Sequence, residues 1–205
     1  ALHTALGEHL MSAKRNEEAR AAFRQALEAG TPDALAQARL GDLARRSGKL
    51  EEALKAYTKA LNARPAMLEA HNGMGMALHG LERFDQAIAQ YRKGLAHAPN
   101  DPELHNNLGS TLYLKGRFPA ALSAFERAAK ADPKDVVYWR NQLMVLKEQG
   151  RLEEAERRLK AAFAVHPGHA SLKNEALSLQ RAKAMRERLR ANPGLDAPHQ
   201  GTAPR

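Results

Sequence analysis

One spacing governs this sequence: chemically similar residues return every 34 positions. Gly7, Gly41, Gly75 and Gly109 form one column, and Ala19, Ala53, Ala87, Ala121 and Ala155 form another. Phe23, Tyr57, Tyr91, Phe125 and Leu159 keep the same step, as do Ala26, Ala60, Gly94, Ala128 and Ala162. Pro65, Pro99, Pro133 and Pro167 close four of the units. A fixed period of this length marks a chain of stacked supersecondary units, each too thin to bury its apolar face alone.

Each column has a mechanical reading. Leu40, Gly41 and Ala44 share one face of a first helix, while Ala53, Tyr57 and Ala60, at i, i+4 and i+7, form one stripe of a second. The glycine has no side chain, so the second helix can come close to its backbone. The proline ends the unit because it cannot continue a helix. Short turns join the two helices at Ser47-Gly48-Lys49, Gly80 to Arg83, Lys115-Gly116-Arg117 and Gln149-Gly150-Arg151. In each, glycine is expected to supply the left-handed residue that stops the first helix. Aromatic residues make up only 5% of the chain, and alanine is abundant, which suits thin helices in close contact.

Over roughly residues 1–169 the pattern resembles the tetratricopeptide repeat. The resemblance implies an all-α fold, a right-handed superhelical α-solenoid of five helix pairs. Its units would be 1–33, 34–67, 68–101, 102–135 and 136–169. The first unit is missing its opening residue and carries Thr31-Pro32 where the others have a lone proline. The fifth has Gln142-Leu143 in place of Leu-Gly, yet keeps Trp139, Ala155, Ala162 and Pro167. Beyond Pro167, Leu172, Ala176, Leu179, Ala182, Met185 and Leu189 space as an amphipathic helix, read as a cap over 170–191. Residues 192–205 hold Pro193, Gly194, Pro198, Gly201 and Pro204 with little to bury, and read as a disordered tail or a linker.

Little in the sequence points to catalysis. There are no cysteines, which removes disulfides, thiolate nucleophiles and Cys-ligated zinc and leaves the redox compartment open. No stretch approaches the roughly 20 apolar residues that span a bilayer. The chain starts at Ala1 without a Met or a charged-then-apolar leader, which reads as a removed export signal or a trimmed start. The net charge is +9, but basic residues alternate with Glu along most helices, and only Arg181 to Arg190 is locally rich in Arg. That pattern fits solvated helix backs better than a nucleic-acid stripe. His71 and His105 share a column with Trp139, which argues for packing. His166 and His169 bracket Pro167-Gly168 and make at most a weak metal site. Gly73-Met74-Gly75 with Gly80 imitates a phosphate-binding loop, but it lies inside a repeat helix rather than after a strand. No nucleophile, base and orienter can be grouped, so no catalytic residue, cofactor or metal is expected.

The resemblance implies a binding groove instead, lined by fixed positions of the first helices. Carried over by column, these are Thr4, Glu8 and Met11, then Ala38, Asp42, Arg45 and Arg46, then Asn72, Met76 and His79. Asn106, Asn107, Ser110 and Tyr113 follow, then Arg140, Met144 and Lys147. Amides would bond a peptide backbone, methionines and Tyr113 would anchor apolar groups, and arginines would meet acidic ones. The carboxylate clamp of chaperone-binding members is not present, since its columns read Ala38 and Asp42, Asn72 and Met76, Asn106 and Ser110. The implied partner is another protein or peptide.

A narrower resemblance rests on His71-Asn-Gly-Met-Gly-Met-Ala-Leu-His-Gly, Gln90-Tyr-Arg-Lys-Gly-Leu and Asn106-Asn-Leu-Gly-Ser-Thr-Leu. These stretches are similar to the tetratricopeptide lipoprotein of the tight-adherence (Flp) pilus system. That family implies a periplasmic pilotin, held at the outer membrane by a lipid anchor, that helps a secretin pore assemble. The alternative is a cytoplasmic scaffold, or the recognition arm of a larger enzyme such as a glycosyltransferase or sulfotransferase. Oligomeric state is left open.

Overall fold

In the computed structural model the described residues are 2–28 and 33–192, and every element among them is an α-helix. Thr31-Pro32 and, of the tail expected over 192–205, residues 193–205 lie outside the described residues. The helices are α1 (Leu2–Ser12), α2 (Asn16–Glu28), α3 (Ala34–Arg46), α4 (Leu50–Ala63), α5 (Leu68–Gly80) and α6 (Phe84–His97). They continue as α7 (Pro102–Leu114), α8 (Phe118–Ala131), α9 (Val136–Glu148), α10 (Leu152–Val165) and α11 (Ala170–Ala191). They fall into two compact units, Ala1–Ala131 and Asp132–Arg205.

The first unit is an α-solenoid of helix pairs: α1 with α2, α3 with α4, α5 with α6 and α7 with α8. Helices α2, α4 and α6 also pack on the next first helix, and α1, α3, α5 and α7 touch in succession. The glycine columns explain how the pairs close. A Cβ on Gly7 would stand 2.5 Å from the Phe23 ring, one on Gly41 2.7 Å from Tyr57, one on Gly75 2.4 Å from Tyr91, and one on Gly109 2.7 Å from Phe125. Each ring is at most 1% exposed. The flat faces of these rings fill the space a side chain would need, which brings the helices to close packing.

The first helices share one ending. After α3 and α7 the chain turns through Gly48 at φ 74° and Gly116 at φ 68°, while after α1 and α5 the same column holds Lys14 at φ 60° and Glu82 at φ 58°. The following N–H groups reach back in the same way each time, for example Lys49 to the Ala44 carbonyl at 2.9 Å and Arg83 to the Leu78 carbonyl at 2.9 Å. This corrects the expectation for Gly80, which ends α5 as a helical residue while Glu82 takes the left-handed place. Gly80 has a different role: a Cβ there would meet Leu50 at 2.9 Å. At the other end, Asp33 and Asp101 cap α3 and α7 by accepting from Ala36 N–H at 2.9 Å and Leu104 N–H at 2.8 Å. Met67 holds the same column before α5 and gives no side-chain cap; it is 3% exposed and joins the core.

In the second unit α9 and α10 pack together, and α11 packs on both. Leu143 and Leu159 stand in the glycine and ring columns, and both are buried. Asp135 caps α9 through Val137 N–H at 2.8 Å, and His169 caps α11 by accepting from Ser171 N–H at 3.3 Å. Leu172 and Leu179 are the buried residues of α11. Glu153 with Arg186 and Glu156 with Lys183 tie its far half to α10.

Candidate functional site

The face formed by α1, α3, α5 and α7 is where the first unit displays its half-buried polar side chains. Its positions follow from the helical period: residues next to the buried glycine and alanine columns emerge at the seam between successive first helices. At the α1–α3 seam Arg39 donates to Glu8 at 3.2 Å and to Asp42 at 3.3 Å. Asp42 also accepts from the Tyr57 hydroxyl at 2.8 Å. Burial first, and then the Asp42 charge, raise the Tyr57 phenol far above its usual range, so it stays a donor. A Cβ on Gly73 would lie 2.5 Å from that hydroxyl, so the ring's tip occupies the glycine that imitated a phosphate loop.

At the α5–α7 seam Asn72 donates to Glu103 at 3.3 Å and accepts from the Asn107 side chain at 2.8 Å. His79 Nδ1 lies 2.8 Å from the hydroxyl of Thr111, which in turn donates to the Asn107 carbonyl at 2.9 Å. The His79 ring meets Phe84 edge-on at 5.6 Å, and burial holds its imidazole below the ordinary value of 6.5. Ser110 donates to the Asn106 carbonyl of its own helix at 3.0 Å. Tyr113 packs on Phe118 at 5.5 Å, and Met76 is half-buried. Thr4 is buried with its hydroxyl on Asp33 at 2.5 Å, and Ala38 is 1% exposed, so neither presents a group at the surface. Arg45 is half-buried and Arg46 exposed.

The remaining sequence-derived positions, Arg140, Met144 and Lys147, belong to the second unit. There Lys147 donates to Glu175 at 2.6 Å and to Ser178 at 3.2 Å, and Arg140 lies 3.7 Å from Glu175. Helix α11 therefore engages both cations, as a following first helix would. Met144 is half-buried. Sequence reasoning did not single out Arg39, Glu103, Thr111 or Glu175. Thr111 had a signal: its column holds Ala77 and Val145, and a buried hydroxyl among apolar residues asks for a partner.

The histidine column carries more than packing. His71 Nε2 lies 2.9 Å from the Pro65 carbonyl, His105 Nε2 2.8 Å from that of Pro99, and Trp139 Nε1 donates to that of Pro133 at 2.9 Å. Ring N–H groups thus satisfy the carbonyls of the prolines that end the preceding units, at a constant separation of six residues. His166 adds a second contact to Pro133 O at 3.0 Å, while His169 serves as a helix cap. No three His, Cys, Asp or Glu side chains among the described residues are grouped to hold a metal ion, and no described helix is long and apolar enough to cross a membrane.

A family model described as tetratricopeptide repeat matches residues 4–67 and 72–136. No curated protein sequence matches the chain. Among solved structures, the chain is similar to MamA (41-end) from Desulfovibrio magneticus RS-1, with 16% identity and a TM-score of 0.73, covering 82% of this chain and 96% of that one. It is similar to YrrB, described as a TPR protein with an unusual peptide-binding site, at 24% identity and a TM-score of 0.69, over 86% and 90% of the two chains. It is also similar to PilF of Pseudomonas aeruginosa, at 19% identity and a TM-score of 0.76, over 94% and 91%. At these identities the likeness is one of fold.

Proposed function

The chain belongs to the tetratricopeptide-repeat family, and from that premise we propose that it is a non-catalytic module binding a peptide or partner protein on the first-helix face of its first unit. The observation that carries this reading is the seam between α5 and α7. There Asn72, His79, Asn107 and Thr111 are fixed by one another, while Met76 and Tyr113 stand half-buried beside them. A polar row held rigid by its own hydrogen bonds, flanked by apolar side chains, can bind an extended segment without first being ordered. The peptide-binding description of YrrB, a protein of like fold, supports the same reading. Arg46 adds an exposed cation for an acidic group on the ligand.

The test pairs partner capture with substitution. Cross-linking in the source cells followed by mass spectrometry identifies the bound protein, and Asn106→Ala with Tyr113→Ala should weaken its binding at least about tenfold. Unchanged binding by the folded double variant overturns the assignment to this face.

A narrower reading gives the chain a pilotin-like role in pilus or secretion assembly at the outer membrane, with a secretin as partner. The stretches around His71, Gln90 and Asn106 support it, and PilF of Pseudomonas aeruginosa shares the fold. Fractionation of the source cells with an intact-mass measurement separates the alternatives. A lipid-modified protein in the outer membrane supports the pilotin role. An unmodified cytoplasmic protein overturns it in favour of a scaffold, or of a recognition arm if its mass is larger.

A further inference from the structure

A cavity of about 420 Å³ in the first unit, walled by α6, α7 and α8, faces away from the groove positions of α7. Leu95, Leu108 and Leu112 line its sides, Arg92 and Arg127 stand at its rim, and the His105 ring belongs to its floor. One period earlier a cavity of about 430 Å³ holds Leu61, Met74 and His71 at the corresponding places.

In the earlier cavity both nitrogens of His71 are engaged: Nε2 lies 2.9 Å from the Pro65 carbonyl and Nδ1 lies 3.1 Å from the side-chain Oε1 of Gln90. His105 keeps the first contact, with Nε2 2.8 Å from the Pro99 carbonyl. The counterpart of Gln90, however, is Ala124, and Nδ1 of this 3%-exposed ring has no partner. A carbonyl can only accept, so Nε2 carries the hydrogen, and Nδ1 of the neutral ring offers a lone pair to a donor. At the mouth, Arg92 and Arg127 make no ion pair among the described residues, nor does Lys130 in the adjoining hollow. Among the described residues no carboxylate lines either depression.

The lining of this one cavity therefore asks for a hydrogen-bond donor, an anion and an apolar group. The last residue of a peptide supplies all three when its side chain is aliphatic: an amide N–H, a terminal carboxylate and the side chain itself. We propose that the cavity between α6, α7 and α8 captures the C-terminal residue of an aliphatic-ended peptide. The amide N–H meets His105 Nδ1, the carboxylate pairs with Arg92 and Arg127, and the side chain rests on Leu95 and Leu108. This site is separate from the first-helix face and stands whether or not that face binds a partner.

The test uses the whole chain, isotope-labelled at nitrogen, titrated with acetyl-Ala-Ala-Ala-Leu as the free acid and as the carboxamide. Binding of the acid should move the His105 Nδ1 resonance, and the carboxamide should bind at least about tenfold more weakly, as loss of a charge-assisted contact implies. Ala124→Gln, which installs the amide found in the preceding pair, should abolish binding with the melting curve preserved. Arg127→Gln, at an exposed position, should weaken binding several-fold and serves as the deciding variant if Ala124→Gln does not fold. The Asn106→Ala, Tyr113→Ala variant should bind the peptide as the parent does. Equal affinity for acid and carboxamide, displacement of the peptide by equimolar inorganic phosphate, or undiminished binding by Arg127→Gln overturns the proposal.

Discussion

Where a second helix meets its first, the Ala1–Ala131 unit sets a ring against a glycine in every pair, whereas the Asp132–Arg205 unit carries Leu143 and Leu159 in those columns. By column, one arrangement sets a large side chain against an absent one, and the other sets two buried side chains of middle size. Volume conserved across a contact is tolerated even when the partition of that volume changes. The difference also separates what each arrangement resists. A ring on a glycine leaves no room for growth on the helix backbone, while paired leucines are open to loss through cavity formation.

Five substitutions test how the two units are held together. The largest effect should come from Leu143→Gly, which removes a 3%-exposed side chain and adds a flexible residue to a helix, at a cost of about 3–5 kcal/mol. Adding Leu159→Phe rebuilds the ring-on-glycine arrangement and should restore part of the loss; a double variant no more stable than the single one would show that the columns are not coupled. Denaturant midpoints measure both. Next comes Gly75→Ala, whose methyl would sit 2.4 Å from the Tyr91 ring, with an expected loss of about 1–3 kcal/mol despite alanine's higher helix propensity. A stabilised variant would mean that the ring can withdraw. The smallest change is Glu82→Gly, which relieves a left-handed residue at φ 58° and should stabilise the first unit by about 1 kcal/mol, read as a raised melting temperature. Gly48→Ala, at the same column, should do the reverse.

The helices and the glycine–ring contacts were legible because both belong to a period, and a period is visible in one dimension. The left-handed Glu82 is hidden by residue type, since Gly80 lies two positions away, and shows only in the column of Lys14, Gly48, Glu82 and Gly116. The candidate groove was legible only as positions. That Asn72, His79, Asn107 and Lys147 already bond to neighbouring helices depends on side chains 28 to 35 residues apart, a separation no helical template reports. The ring-to-proline contacts are not legible from a shared column, since a histidine can pack and donate at once.

Tyr57 gives the repeat a consequence of another kind. Its ring closes its own pair on Gly41, and its hydroxyl tip presses on Gly73 of the next. One period on, Tyr91 stands in the column of Tyr57 and Asn107 in that of Gly73. The pairs are therefore not interchangeable cassettes. A recombination joint at Pro65 that replaced the third pair with the fourth would drive an asparagine side chain into the Tyr57 hydroxyl, whereas a joint that carried Tyr57 and Gly73 together would keep the fit. Shuffling of this chain is thus phased from the middle of one pair to the middle of the next, out of step with the boundaries its prolines mark.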